Sequence, residues 1–342
     1  MKISVVIPVY KNTDMFMQNL RHNMQYFNNY EIVIVDDASN EHIKERVHDD
    51  FPNVTVIENQ KNLGFGPTMN IGVNHSQGNF LLFLNSDVRL IRSLPVDTLK
   101  IFHKDEKLFA LSFRQIEKDG NFTGKNTIFF KNGFPQHSKV ENMHKGLNAW
   151  AEGGSCIIKR EYFEELGGFN ELLEPFYWED NDLSFRAYSR GWHVLFEPHL
   201  CVEHHHESTT RKYFSKSFIQ TIAFKNQCIF TWCNITDRNL LRQHIRYLPK
   251  YIISNVLSGN IFVLKGCIRA CTKMRAIHEK RRVKSKQQVR SDQEVLSMLQ
   301  VHQNSNIVDR MNENWGKETF SVKKNERIDK RKSKISHKND NK

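Results

Sequence analysis

Over its first 90 residues the chain alternates short apolar runs with segments of helical period, and few folds accept that alternation. Ile3 to Pro8, Glu31 to Asp36, Val54 to Glu58 and Asn79 to Leu84 read as four strands, each ending where polar or glycine residues take over. Between the first two, Phe16, Leu20, Met24 and Phe27 recur at helical spacing and fall on one face. Strand, helix, strand, helix in this order predicts an α/β fold whose mostly parallel central sheet is covered on both faces. At 342 residues the chain has room for one such domain and a smaller appendage.

Further along, Leu108 to Phe113 reads as a fifth strand, and Asp119-Gly120 and Asn132-Gly133 mark hairpins in a polar insertion. Ala149 to Ile158 reads as strand, and Arg160 to Leu166 as a short helix stopped by Gly167-Gly168. Asp180 to Arg190 is a helix stopped by Gly191, and Trp192 to Glu197 a strand ended by Pro198. From about Tyr213 strand signals vanish, and Phe218, Ile222, Ile229 and Trp232 suggest helices. The expected organisation is an α/β domain over 1–210, a helical region over 211–300, and a basic, disordered tail over 301–342.

A formal charge of +12 points to an anionic partner: nucleic acid, phospholipid or a phosphorylated substrate. Nucleic acid is not expected, because the charge concentrates in stretches such as Lys265 to Arg290, with no zinc-finger or RNP signature. The six cysteines form no CxxC pair and sit in apolar or helical stretches, as reduced cytosolic thiols do. No charged leader precedes the first strand, and no apolar run approaches the roughly 20 residues that span a bilayer. The expected location is cytoplasmic. Ile261, Phe262, Leu264 and Ile268 beside Lys265, Arg269 and Lys273 would suit peripheral contact with the inner face of the plasma membrane, packing on the domain, or a dimer contact.

In an open parallel sheet, ligands bind outside the carboxyl ends of the strands. Here those ends carry Pro8-Val9-Tyr10, Asp36-Asp37-Ala38-Ser39 and Asn85-Ser86-Asp87, without the Gly-x-Gly-x-x-Gly turn of dinucleotide-binding enzymes. Acidic residues there accept hydrogen bonds from a nucleobase or ribose or hold a divalent cation, although Asp36 and Asp37 equally suit helix capping. Asn62-Leu63-Gly64-Phe65-Gly66 reads as a turn before a helix. Phe176 to Leu183 sets three carboxylates beside three aromatics at a helix start. A carboxylate there can take a proton from a hydroxyl, and Trp178 can stack on an apolar sugar face. The alternative is an acidic first turn with aromatic core anchors, which accounts for Asp182. In His204-His205-His206, one imidazole can complete a metal site with Asp87, while extended neighbours point to opposite faces.

In their order, "SVVIPVYKN", "VIVDDASN", "NLGFGPTMNIG", "FLLFLNSDV", "GGSCIIKREYFEELGGFNE" and "FYWEDNDLSFRAYSRGW" occupy roughly residues 1–210. This series resembles the family 2 glycosyltransferases, in particular the bacterial branch, rhamnosyltransferases included, that builds O-antigen, capsule and other surface polysaccharides. The resemblance implies a GT-A fold and inverting transfer from a nucleoside-diphosphate sugar, UDP- or dTDP-linked, to a glycan or lipid-linked glycan. By the family pattern, Pro8, Tyr10, Asp36 and Asp37 would line the base and ribose pocket, with Asn62, Gly64 and Asn70 nearby. Asp87 would hold Mg²⁺ or Mn²⁺ on the diphosphate, with His204, six residues after Pro198, or His205 as the second ligand. Asn85 replaces the first Asp of the family's Asp-x-Asp and removes one charge. Asp180 of the Glu179-Asp180 pair would be the catalytic base, while Gly153 and Gly154 would let the donor approach the backbone. An inactive transferase-like partner protein is the rival reading.

Overall fold

Strand β1 (Ile3–Val9) buries Val5 and Ile7 on one face and Val6 on the other, so both faces must be covered. The structure is a computed structural model that describes residues 2–27, 29–95, 97–204 and 212–304. In it, α1 (Thr13–Met24), α2 (Ile43–Asp50) and α4 (Thr98–Lys104) cover the Val5 face. On the Val6 face lie α3 (Phe65–Asn74), α5 (Arg160–Glu165) and α6 (Glu179–Ser189). The expected stripe of Phe16, Leu20 and Phe27 is buried against the sheet.

β1 pairs in parallel with β2 (Glu31–Asp36) and β4 (Phe80–Leu84), and β2 with β3 (Thr55–Glu58). Beyond β4 the sheet becomes mixed. β11 (Ser155–Lys159) runs antiparallel between β4 and β6 (Leu108–Ile116), and β12 (His193–His204) is parallel to β6. Short β5 (Val88–Leu90), β7 (Phe122–Thr123) and β10 (Gly146–Leu147) complete it, while β8 (Asn126–Lys131) and β9 (Phe134–Lys139) form a separate hairpin at Asn132-Gly133.

Two strand expectations are corrected. The strand placed at Ala149 begins only at Ser155, because residues 149–154 are irregular and carry site residues instead. The strand ended at Glu197 continues to His204, because a register shift between Glu197 and Cys201 absorbs Pro198, which has no ladder donor. That extension carries His204 to Val88, next to Asp87.

Helices α7 (Lys216–Asn234), α8 (Arg238–Leu257), α9 (Phe262–Cys271), α10 (Met274–Gln287) and α11 (Asp292–Asn304) belong to the same compact unit as the sheet. Part of the basic stretch faces inward: Lys284 pairs with buried Asp292, and Arg281 donates to the carbonyls of Trp232 and Ile235. No helix among the described residues is long and apolar enough to cross a membrane. His205, His206 and the chain beyond 304 lie outside the described residues.

Asp182 joins the two regions. Fully buried, it accepts from Arg186 Nε at 2.8 Å and from Asn234 Nδ2 on α7 at 2.7 Å. Removing one partner of such a pair leaves the others buried and uncompensated, so Asp182→Ala is expected to cost about 3 kcal/mol. Urea unfolding measures this. A loss below about 1 kcal/mol would mean that Arg186, which also donates to the carbonyls of Leu166 and Gly168, holds the join alone.

Candidate active site

A cleft of about 320 Å³ opens at the carboxyl ends of β1, β2 and β4. Among the residues singled out from sequence, Pro8, Tyr10, Asp37, Asn62, Gly64, Asn85, Asp87, Gly154, Glu179, Asp180 and His204 line it together. Asp36, Asn70, Gly153 and Trp178 do not.

Those four have structural partners. Asp36 Oδ1 accepts from the Ser39 amide and closes the turn after β2. Asn70 grips the backbone of Phe169, donating to its carbonyl and accepting from its amide. Trp178 packs on Phe230, with ring centroids 5.0 Å apart, as a core anchor, and also borders a separate cavity. A Cβ on Gly153 would stand 2.5 Å from Asp180 Oδ1, and one on Gly154 would stand 2.4 Å from Asn85 Nδ2. The space these glycines leave is therefore filled by the chain's own side chains.

Asp37 acts from within the cleft wall. Its carboxylate accepts from the amides of Leu63 and Gly64, each at 2.8 Å, and from Asn59 Nδ2 at 2.9 Å, tying β2 to the loop before α3. Gly64, at φ 85°, fits there because a Cβ would meet the Pro175 backbone at 2.4 Å.

At the cleft's other side His204 Nε2 lies 3.2 Å from Asp87 Oδ1, and its Nδ1 lies 2.9 Å from Gln115 Oε1. The Gln115 amide nitrogen in turn donates to Ser155 Oγ, so the His204 ring is held between an amide and a carboxylate. An imidazole nitrogen beside a carboxylate is a pairing that suits a divalent cation. No Lys or Arg lines the cleft among the described residues, which carry five carboxyl groups there. The described residues contain no cluster of three or more His, Cys, Asp or Glu able to hold a metal. Among the described residues, Asp87 and His204 are the pair that could hold such a cation.

Glu179 and Asp180 open α6, where Asp180 Oδ2 accepts from the Gly153 amide at 3.0 Å. Asp180 Oδ1 and Glu179 Oε2 are enclosed without a hydrogen-bond partner. Burial raises Asp180 well above the usual carboxylate range, with the charges of Glu179 and Glu152 adding to the push; burial likewise raises Glu179. Such a carboxyl holds its proton more tightly and acts as a stronger base once ionised.

Sequence reasoning missed Gln115, Glu152 and Phe214, which also line the cleft, and noted Phe176 and Tyr177 only as aromatics beside the carboxylates. Glu152 has a raised pKa through burial; its place just before Gly153-Gly154 was the signal by which the sequence could have offered it. Gln115 carried no signal, since only the β6–β12 pairing brings it beneath His204.

Residues 4–167 match the model of the family described as Glycosyl transferase family 2. An uncharacterized glycosyltransferase of Rickettsia conorii is 23% identical over 287 residues, 80% of this chain and 45% of that protein. One of Haemophilus influenzae is 35% identical over 186 residues, 53% of this chain and 60% of that protein. The O-antigen chain rhamnosyltransferase RfbN of Salmonella typhimurium is 24% identical over 226 residues, 64% of this chain and 71% of that protein. The chain thus spans roughly half the length of the first two relatives. In fold, it is similar to GalNAc-T7, crystallised with UDP, GalNAc and Mn²⁺, at a TM-score of 0.55 and 19% identity, over 68% of this chain and 47% of that one. With the family's motifs set around one cleft on a GT-A sheet, residues 4–167 carry a glycosyl transferase family 2 domain.

Proposed function

We propose that the chain transfers a sugar from a nucleoside diphosphate to an acceptor hydroxyl with inversion, and that Asp180 is the base. The observation that carries this is the enclosed, unpartnered Oδ1 of Asp180 in a cleft shared with Asp87 and His204. Asp180 removes the acceptor proton as the oxygen attacks the anomeric carbon opposite the departing diphosphate. Tyr10, Asp37, Asn62 and Gly64 form the nucleoside end of the cleft. Asp87 and His204 would hold Mg²⁺ or Mn²⁺, which would supply positive charge at the departing diphosphate. A relative named as an O-antigen chain rhamnosyltransferase supports a role in surface-polysaccharide synthesis.

Asp180→Asn removes the base and a buried carboxylate together. Transfer is expected to fall by about 10²- to 10⁴-fold, while nucleotide binding persists and the melting temperature holds or rises. In the unaltered protein only the deprotonated form accepts the proton, and burial raises the pH at which it forms. Turnover should therefore decline as pH falls through values above the ~4 of a free carboxyl. Full activity of Asp180→Asn, or an acid limb near pH ~4, removes Asp180 from the role.

A cleft lined by carboxyl groups repels a bare diphosphate, so donor binding should require a cation. Calorimetry and hydrolysis with UDP-, dTDP- and GDP-sugars, each with Mg²⁺, Mn²⁺ or EDTA, should single out one donor and lose it in EDTA. Silence with every donor and metal would favour the inactive-partner reading.

Peripheral membrane contact rests on exposed apolar residues at helical spacing, Ile253, Val256 and Leu257 on α8 and Ile261, Leu264 and Ile268 across the start of α9, beside Lys250 and Lys265. Co-sedimentation with anionic vesicles at low salt, lost with neutral vesicles, is expected. Equal recovery in the supernatant with both vesicle types would refute it.

A further inference from the structure

Asp180 borders two spaces. Together with Glu152, Tyr177 and Glu179 it lines the nucleotide cleft and also a second cavity of about 360 Å³, within the roughly 300–1,000 Å³ of small-molecule sites. The second cavity is walled by Trp150 and Trp178, with His137 of β9 in edge contact with both rings at 5.4 Å. Asn181, at 8% exposure, lines it too, and its Nδ2 is enclosed with no hydrogen-bond partner. A buried amide without a partner costs about 1–3 kcal/mol and calls for an explanation. An oxygen of a bound molecule supplies one.

We infer that this cavity is the subsite for an uncharged pyranose unit of the acceptor and that Asn181 sets its orientation through a hydrogen bond to one sugar oxygen. The inference rests on the transferase reading, which places the acceptor hydroxyl at Asp180. Tryptophan walls suit the apolar C–H faces of a pyranose, and the amide and carboxyl groups suit its hydroxyls. No Lys or Arg lines the cavity among the described residues, whereas Glu152, Glu179 and Asp180 do. A uronate or sugar phosphate would meet three carboxyl groups and, among the described residues, no Lys or Arg, so charge selects a neutral sugar.

The test uses the full chain with UDP and Mn²⁺ and a panel of methyl hexosides and methyl rhamnosides, with methyl glucuronide and glucose 1-phosphate as charged controls. Saturation-transfer NMR should detect at least one neutral glycoside and bind the charged controls at least ~10-fold more weakly. Asn181→Ala should weaken that glycoside by about 10-fold while leaving UDP affinity unchanged and the melting temperature the same or higher. Should this variant fail to fold, His137→Ala at the exposed rim takes its place, with weakened glycoside binding expected. Unchanged glycoside affinity in the variant, equal binding of methyl glucuronide, or UDP binding with no glycoside bound overturns the subsite and leaves the transferase reading standing. Failure of every nucleotide and glycoside to bind removes both.

Discussion

The Asn226 amide, reaching from α7, holds the carbonyls of Phe176 at 2.8 Å and Tyr177 at 2.9 Å, and that of Leu173 as well. The turn it grips is costly. Tyr177 and Trp178 stand at φ 74° and 75°, a left-handed conformation that bulky side chains resist by about 1–3 kcal/mol each. Hydrogen bonds of about 1 kcal/mol each, with Lys225 adding a bond to the carbonyl of Glu174, offset much of that. Because the chain reverses there, Trp178 enters the core, Tyr177 faces the cleft, and Glu179 and Asp180 begin α6. The helical region is thus part of the site's scaffold.

Charge is distributed with the same division of labour. Carboxyls that maintain the fold are satisfied: Asp37 by backbone amides, Asp182 by Arg186 and Asn234, Asp292 by Lys284 and the amides of Thr236 and Asp237. Glu179 and Asp180 each keep an oxygen unsatisfied, and burial raises the pKa of both. A group left in that condition lowers stability and gains basicity, the exchange expected where stability yields to chemistry.

Much of this was legible in the linear chain. Strands β1, β2 and β4, the helix over Phe16 and Leu20, and both glycine turns follow from local periodicity and backbone preference, which neighbours in sequence determine. The motif order led to the family, and eleven of the residues it nominated face one cleft. Less legible was any residue whose role depends on a distant strand or helix. Gln115 meets His204 across 89 positions, and Asn226 grips a loop about 50 positions away.

The sequence by itself determined an α/β chain of this family and the carboxyl-bearing segment at the start of α6, because both are written in short, contiguous patterns. Only the tertiary structure decided which carboxyl of that segment does what. Asp180 and Asp182 are two positions apart, so they leave the helix in nearly opposite directions. One meets Arg186 and Asn234 and becomes structural; the other meets Gly153 and an open cavity and is left available. Identical in chemistry, the two side chains differ only in what the fold places against them.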